Sequence, residues 1–191
     1  MALASAFFHV IETPVGALFI GGSERGIHRL DFLPDARRSA GSEGHRVREL
    51  ERSRERLERE TGLPAAHDPE RAGEAARQMR EYFAGTRVTF DLPLAPHGSE
   101  FQRKVWATLM EIAPGETRSY GWVAGRIGQP SASRAVGAAN GQNPIVIVVP
   151  CHRVVGANGT LTGYGGGLHR KRWLLEHETS SLPLFASAGR P

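Results

Sequence analysis

Residues 119–141 carry the sequence SYGWVAGRIGQPSASRAVGAANG. Ser119 is a favourable N-cap for a short helix, and Gly128-Gln129-Pro130 breaks the helical pattern before it resumes at Ser131 or Ser133. Two short helices joined by a tight turn predict a helix-turn-helix.

The second of these helices consists mostly of small residues and ends near Gly141. Such a helix either packs closely against another helix or lies close to a nucleic-acid backbone. Only Ser133, Arg134 and Asn140 have side chains that could reach base edges, which is too few to specify a long operator. This argues against a sequence-specific regulator.

The N-terminal part of the sequence predicts a small α/β domain. Apolar segments separated by turns predict three short antiparallel strands, at 7–12, 17–21 and 27–32. Residues 35–67 are rich in Arg and Glu and predict a solvated helix within a variable connection. Residues 74–84 predict a helix that ends at Gly85, and the apolar alternation at 88–92 predicts a further strand.

A proline-containing linker at 92–96 indicates a domain boundary, and we expect the second domain to begin near His97. Ser99 and Gln102 have the spacing of a capping box, which opens the first helix of that domain. The predicted fold class is therefore α+β. It comprises an N-terminal α/β domain (1–92), a mainly helical domain containing the helix-turn-helix (97–178) and a C-terminal tail (179–191).

The composition is that of a globular protein with one domain or two small ones, since 40% of the 191 residues are hydrophobic. No apolar run approaches the ~18 residues of a membrane helix, and the N-terminus lacks the features of a signal peptide. We therefore expect a cytoplasmic protein with no membrane partner. The single cysteine excludes an internal disulfide and cannot by itself supply a structural zinc site.

Positive charge is concentrated in the C-terminal half. Residues 92–191 hold 10 basic and 5 acidic side chains, whereas residues 1–91 hold 14 and 15. The surplus lies in the half that contains the predicted helix-turn-helix, which indicates a polyanionic partner for that half.

The candidate chemistry lies at Pro150-Cys151-His152-Arg153. The five preceding residues, 145–149, are all β-branched and predict a strand that is buried on both faces and ends at the thiol. The adjacent imidazole and guanidinium indicate a thiol with a lowered pKa, although a lone cysteine after an apolar run is commonly just a small buried hydrophobe.

His152 needs both a route to the thiol and a partner of its own. Neighbours in an extended chain face opposite ways, so His152 reaches Cys151 only if the backbone turns or a water bridges the two side chains. Glu176 and Glu178 are both candidates to orient the imidazole.

Residues 163–167, Gly-Tyr-Gly-Gly-Gly, precede a helix that begins at Leu168. No Gly-Lys-Ser/Thr element follows them, so we predict no nucleotide cofactor. A flexible wall over a pocket, with Tyr164 as its aromatic lid, is the preferred interpretation.

Several motifs together point to one known family. They are Asn143-Pro144-Ile145, Pro150-Cys151-His152-Arg153-Val154, Gly163-Tyr164 with Gly166-Gly167-Leu168, Phe101-Gln102 with Val105-Trp106, Gly115-Glu116-Thr117 with Ser119-Tyr120, and Arg134-Ala135-Val136-Gly137 with Ala139-Asn140. This set resembles the O6-alkylguanine-DNA alkyltransferase family, bacterial Ogt type. The resemblance covers residues 75–178 strongly and the N-terminal strands loosely.

The resemblance implies direct-reversal DNA repair. It implies a ribonuclease H-like N-terminal domain and a winged helix-turn-helix domain that docks on the minor groove of double-stranded DNA. The alkylated guanine is flipped out of the stack, and the alkyl group passes irreversibly to Cys151 in a single turnover. O4-alkylthymine is expected to be a second substrate.

The resemblance also implies roles for individual residues. Cys151 would be the nucleophile, His152 would act on it through a water, and Glu178, rather than Glu176, would orient His152. Tyr120 would donate a hydrogen bond to the departing guanine, and Asn143 would shape the turn before the active site.

The remaining implied residues bind the base and the DNA. The base pocket would be lined by Tyr164, Gly165 and Val154. Arg134 would fill the gap that the extruded base leaves, and Ser133, Gln129 and Tyr120 would lie at the DNA.

Two departures from relatives lead to predictions. Some relatives have Ser directly after the lid tyrosine, whereas this chain has Gly165; we hypothesise that the roomier pocket accepts alkyl groups larger than methyl. Some relatives bind zinc through N-terminal cysteines that are absent here, so we predict no metal and no cofactor. We expect a monomer in solution. A non-catalytic lesion sensor and a thiol hydrolase remain as alternative functions.

Overall fold

The computed structural model describes residues 4–34 and 42–186, which form two compact units. The first unit contains the described residues up to Ala84 together with Phe90–His97, and the second contains Gly85–Thr89 together with the described residues from Gly98 onward. Helices and strands occur in the chain as the predicted α+β class requires. No helix within these described ranges is long and apolar enough to span a bilayer.

The first unit is built on a four-stranded sheet. The strands β1 (Ala6–Ile11), β2 (Leu18–Ser23) and β3 (Gly26–Phe32) form the predicted antiparallel meander. A short strand, β4 (Ala65–His67), pairs in parallel with β1 and gives the order β3-β2-β1-β4. The sequence does not predict β4, because three residues show no alternation.

The helix α1 (Ser42–Thr61) occupies most of the charged connection. It is less solvated than predicted, since Leu57 is completely buried in a cluster with Phe19 and Leu33. Glu60 of α1 also accepts a hydrogen bond of 2.5 Å from Arg29 of β3. Residues 35–41 of the connection, and residues 187–191 of the predicted tail, lie outside the described residues.

The strand predicted at 88–92 is wrong. The side chain of Gln78, on α2 (Gly73–Phe83), satisfies both backbone groups of Asp91, donating to its carbonyl and accepting from its N–H at 2.9 Å each. The chain pairs with β3 only after Asp91. There the N–H of Ile27 donates to the carbonyl of Pro93, and the carbonyl of Ile27 accepts from the N–H of Ala95, at 2.8 Å each. The segment is therefore irregular where its alternation suggested a strand.

The second unit contains the predicted helix-turn-helix. Its first helix, α3 (Glu100–Leu109), begins with the predicted capping box between Ser99 and Gln102. The pair α4 (Tyr120–Arg126) and α5 (Ser133–Gly141) follows, with Ser119 as the N-cap of α4. The indole Nε1 of Trp106 in α3 donates to the carbonyl of Ala139 in α5 at 2.9 Å, which ties the second helix of the motif to the core.

A two-stranded parallel pair and a long helix complete the second unit. The strand β5 (Arg118–Ser119) pairs with β6 (Val154–Val155), so the chain entering α4 lies beside the chain leaving the Cys151 turn. The helix α6 (Leu168–Ala186) carries Lys171 and Glu178.

The buried strand predicted at 145–149 is also wrong. Ile147 has a φ of +75°, in the left-handed region, and the N–H of Val149 donates to the carbonyl of Ile145 at 3.0 Å, which closes a tight turn. The side chain of Asn143 stabilises this turn by accepting from the N–H of Ile145 at 3.0 Å and donating to the carbonyl of Val149 at 2.7 Å. One amide thus provides the hydrogen bonds that a sheet would otherwise supply.

Candidate active site

Cys151 lies in a single 3₁₀ turn, Cys151–Arg153, directly after the Asn143 turn. The N–H of Cys151 donates to the carbonyl of Val149 at 2.8 Å, and the Cys151 carbonyl accepts from the Asn140 side chain at 3.3 Å. The backbone therefore does turn at this point, which is one of the two conditions under which His152 can act on Cys151.

Cys151 is 4% exposed. Burial raises the pKa of the Cys151 thiol to about 11, although a hydrogen bond from Asn143 and the charge of Lys171 act in the opposite direction. The sequence-based expectation of a lowered thiol pKa is therefore wrong for this conformation. The main reason is the burial of the thiol, and the Arg153 guanidinium, which was expected to favour the thiolate, is directed at a carboxylate instead.

That carboxylate belongs to Glu178, which is 1% exposed and holds two basic side chains. Arg153 donates to it through Nε and Nη2 at 2.8 Å each, and His152 contacts it through Nε2 at 2.9 Å. Arg153 also donates from Nη1 to the carbonyl of Ile112 at 2.5 Å. Glu176, the other candidate, is exposed on the same helix.

The electrostatics of this network leave His152 neutral. Burial lowers the pKa of His152, and its contact with Glu178 only partly opposes that effect. Burial alone would raise the pKa of Glu178, but the hydrogen bonds from His152 and Arg153, together with the charge of Arg153, outweigh it and hold that pKa below its usual range. Neutral His152 then donates from Nε2 to the carboxylate, which leaves Nδ1 as the basic nitrogen. This Nδ1 is buried and has no hydrogen-bond partner within the described part of the chain.

A cavity of about 710 Å³ lies between the helix-turn-helix and the glycine-rich loop. Its lining includes Tyr120 of α4, Ser133 and Arg134 of α5, and Tyr164 and Gly165 of the loop. The surface inside it is mainly apolar, and a cavity of this size accommodates a flat heterocycle with a substituent.

The cavity does not include every residue expected there. Val154 is completely buried in β6 and is absent from the lining, and Cys151 is absent from it as well. Gln129 is exposed in the turn between α4 and α5 and also lies outside the cavity. The structure therefore brings Tyr120, Ser133, Arg134, Tyr164 and Gly165 together, and it groups Cys151, His152 and Glu178 separately, beneath the Asn143 turn.

Sequence reasoning missed Lys171, which is completely buried and interacts electrostatically with Cys151. It also missed the orienting contact of Asn140 on the Cys151 carbonyl. One signal for Lys171 was available, because lysine is rare in this chain: only Lys104 and Lys171 occur among its 24 basic residues. Among the described residues no cluster of three or more His, Cys, Asp or Glu side chains is arranged to hold a metal ion.

Comparison with known proteins matches both units of the chain. Residues 6–96 match the family described as 6-O-methylguanine DNA methyltransferase, ribonuclease-like domain, and residues 100–180 match the 6-O-methylguanine DNA methyltransferase, DNA binding domain. A methylated-DNA–protein-cysteine methyltransferase of Methanosarcina barkeri is 42% identical over 178 residues, covering 92% of this chain and 99% of the relative. The corresponding protein of Mycobacterium tuberculosis is 57% identical over 116 residues, covering 61% of this chain and 70% of the relative.

Solved structures show the same likeness. The crystal structure of the Mycobacterium tuberculosis O6-methylguanine methyltransferase matches with a TM-score of 0.70 and 40% identity, covering 94% of this chain and 99% of that one. The Mycobacterium tuberculosis OGT in complex with DNA matches with a TM-score of 0.72 and 41% identity, covering 92% and 94%.

Proposed function

Because this chain belongs to the 6-O-methylguanine DNA methyltransferase family and acts in DNA repair by alkyl transfer to a protein cysteine, we propose that Cys151 is the alkyl acceptor. The observation that carries the proposal is that the only cysteine in the sequence adjoins the buried pair of His152 and Glu178. The substrate we propose is O6-alkylguanine in double-stranded DNA, which enters the cavity after it is flipped out of the stack.

The first step is activation of the thiol. Because burial raises the pKa of the Cys151 thiol to about 11, very little of it is ionised near neutral pH, so a base is needed. His152 Nδ1 is the available base, and we propose that it takes the thiol proton through a bridging water. Glu178 stabilises the resulting imidazolium without itself taking up the proton.

The second step is displacement at the alkyl carbon. The Cys151 sulfur forms a bond to that carbon, the bond from the carbon to guanine O6 breaks, and the electron pair leaves with the guanine. Tyr120, which lines the cavity, donates a hydrogen bond to the departing base and offsets its negative charge. No oxidant or second substrate is required.

The product is a thioether on Cys151, and this fixes the stoichiometry at one alkyl group per protein molecule. A thioether is a poor leaving group, and the sequence contains no second cysteine to exchange with it. Arg134 is exposed at the mouth of the cavity, and we propose that it enters the space that the extruded base leaves in the duplex. This geometry also supports the proposed contacts of Ser133 with DNA.

The test is transfer from a defined lesion. The protein is mixed with a duplex containing one O6-methylguanine, and the peptide that bears Cys151 is examined by mass spectrometry. A single added methyl on Cys151 is expected, whereas an unmodified duplex should leave the peptide unchanged. Cys151→Ala should abolish transfer and retain DNA binding. A restored guanine with Cys151 still unmodified would overturn the proposal.

A further inference from the structure

Lys171 is a buried cation that the mechanism above does not use. The chain uses arginine for nearly all of its positive charge, with 22 Arg and only two Lys among 24 basic residues. The other lysine, Lys104, is exposed and pairs with Glu100 at 2.8 Å on the surface of α3. Lys171 is 0% exposed on α6.

The ammonium group of Lys171 bridges two backbone segments of the site. Its Nζ donates to the carbonyl of Val154 at 2.6 Å and to the carbonyl of Thr162 at 2.7 Å. Val154 ends the turn that carries Cys151, and its own N–H donates to the Cys151 carbonyl. Thr162 lies two residues before Tyr164 and lines the cavity. A compact ammonium can donate to two carbonyls in this way, whereas arginine presents its donors on a wider planar fork and would fit the two carbonyls less closely.

Lys171 has no carboxylate partner within the described residues. A buried cation without a counterion is costly, and two carbonyl dipoles offset that cost only in part. The electrostatic partner that the structure does offer is Cys151. The other charged groups around the thiol compensate one another, since Arg153 is neutralised by Glu178 and His152 is uncharged. Before the thiol is deprotonated, Lys171 is thus the positive charge that interacts with Cys151 and that no carboxylate among the described residues compensates.

We propose that Lys171 is a positioning residue for alkyl transfer, which ties the turn of Cys151 to the segment before Tyr164 and supplies the positive charge that stabilises the Cys151 thiolate. The inference rests on the proposed function for its biological meaning. The interaction between the Lys171 ammonium and the Cys151 sulfur can be tested without DNA.

Tyr120, the proposed donor to the leaving group, has only long contacts with the segment that Lys171 holds. The Tyr120 hydroxyl lies 3.5 Å from the Thr162 carbonyl and 3.4 Å from the Thr162 hydroxyl, both at the outer limit of a hydrogen bond. Lys171 binds that carbonyl much more closely, at 2.7 Å. The Tyr120 hydroxyl is therefore only weakly held and remains available to donate to the departing guanine.

The first experiment measures the reactivity of the thiol without DNA. Wild type, Lys171→Met and the matched control Lys104→Met are treated with iodoacetamide at pH 8, where the rate is proportional to the thiolate fraction. Lys171→Met should react about tenfold more slowly, which corresponds to a rise of about one pKa unit, and Lys104→Met should react as wild type does. Lys171→Arg, which keeps the charge, should recover part of the rate.

The outcomes separate a positioning role from a structural one. If folded Lys171→Met reacts at the wild-type rate, the proposal is overturned, even if the variant melts at a lower temperature. The iodoacetamide reaction and the thermal melt are both measured without DNA. A wild-type protein that fails to accept methyl from O6-methylguanine would therefore refute the proposed function and leave the proposal for Lys171 standing.

A second measurement covers the case in which the Lys171 variants do not fold. Protein labelled with ¹³C at lysine Cε should show two signals, which Lys104→Met assigns. The Lys171 signal gives the pH at which the ammonium loses its proton in wild type. The iodoacetamide rate of wild type should rise about tenfold per pH unit below that pH and should level off as the pH passes through it, because neutral Lys171 no longer stabilises the thiolate. A rate that keeps rising about tenfold per pH unit through the Lys171 midpoint would overturn the proposal.

Discussion

Replacing Glu178 by Gln removes one charge from the buried network and leaves its shape almost unchanged. The carboxylate accepts two hydrogen bonds from Arg153 at 2.8 Å and one from His152 at 2.9 Å. The glutamine amide keeps one acceptor oxygen, but its NH₂ group replaces the other and faces N–H donors of Arg153 or His152, with which it cannot form a hydrogen bond. Arg153, which is 5% exposed, then has no carboxylate counter-charge within the described part of the chain.

The expected cost follows from that burial. Breaking a buried pair by removing one partner costs about 3–5 kcal/mol, because the remaining charge stays out of water. For a chain of this size each kcal/mol lowers Tm by about 2–4 °C, so Glu178→Gln should lower Tm by about 6–20 °C. Alkyl transfer should slow as well, since the imidazolium loses its stabilising carboxylate.

The pH dependence gives an independent check with a defined sign. The folded pKa of Glu178 lies below its ordinary value of 4.5. The stabilisation is therefore fully present above about pH 4.5 and is lost as the pH falls toward the folded pKa. The difference in Tm between wild type and Glu178→Gln should be constant from pH 7 to pH 5 and should shrink in more acidic solution.

Calorimetry of wild type, Glu178→Gln and Glu176→Gln measures these quantities. Glu176 is exposed on the same helix, two residues earlier, and its variant should melt within about 1 °C of wild type because isolated surface charges contribute little. The reasoning is refuted if Glu178→Gln is as stable as wild type, or if Glu176→Gln loses as much.

Three further predictions concern the pocket, the DNA contact and the first unit. A Cβ at Gly165 would lie 3.6 Å from the Gly141 carbonyl, which is ordinary contact, so Gly165→Ser should fold and should slow transfer from O6-benzylguanine relative to O6-methylguanine; an unchanged rate ratio in competition assays would contradict this. Arg134→Ala should keep the wild-type Tm, because Arg134 is exposed, and should reduce transfer from duplex DNA about tenfold or more; equal single-turnover rates would contradict it. Burial lowers the pKa of His28, so wild type should lose stability as the pH falls below about 6.5 and His28→Gln should lose less; parallel Tm profiles between pH 7 and 5 would contradict this.

Much of the fold follows from local signals in the sequence. The meander, the capping box at Ser99 and the helix-turn-helix were predictable because their periodicity and caps are local. The errors at 88–92 and 145–149 share one cause, which is that a side chain outside the segment satisfies backbone groups that a neighbouring strand would otherwise pair with. Gln78 satisfies the backbone of Asp91, and Asn143 satisfies Ile145 and Val149. An apolar run shows that a segment is buried, but not which groups satisfy its backbone.

In the site, too, residues adjacent in the sequence could be identified, whereas contacts between separate elements could not. The adjacent Cys151 and His152 could be identified in the sequence, but whether Glu176 or Glu178 meets the imidazole depends on how α6 is rotated. Residues alone left that choice open, and the resemblance favoured Glu178. The direction of Arg153 and the burial of Lys171 depend on contacts with residues well separated in the sequence, such as Ile112 for Arg153 and Val154 for Lys171.

The deep position of Cys151 has a consequence for the lifetime of the unused protein. Thiolates attack peroxide and glutathione disulfide when these oxidants can reach them. Cys151 is only 4% exposed and its raised pKa keeps the thiol protonated, so it reacts with them slowly. In a protein that reacts only once, oxidation of Cys151 to a sulfenic acid or a mixed disulfide would remove the alkyl acceptor before the protein binds a lesion. The packing around Cys151 therefore slows its oxidation, so that unreacted protein keeps a usable thiol during long intervals without lesions.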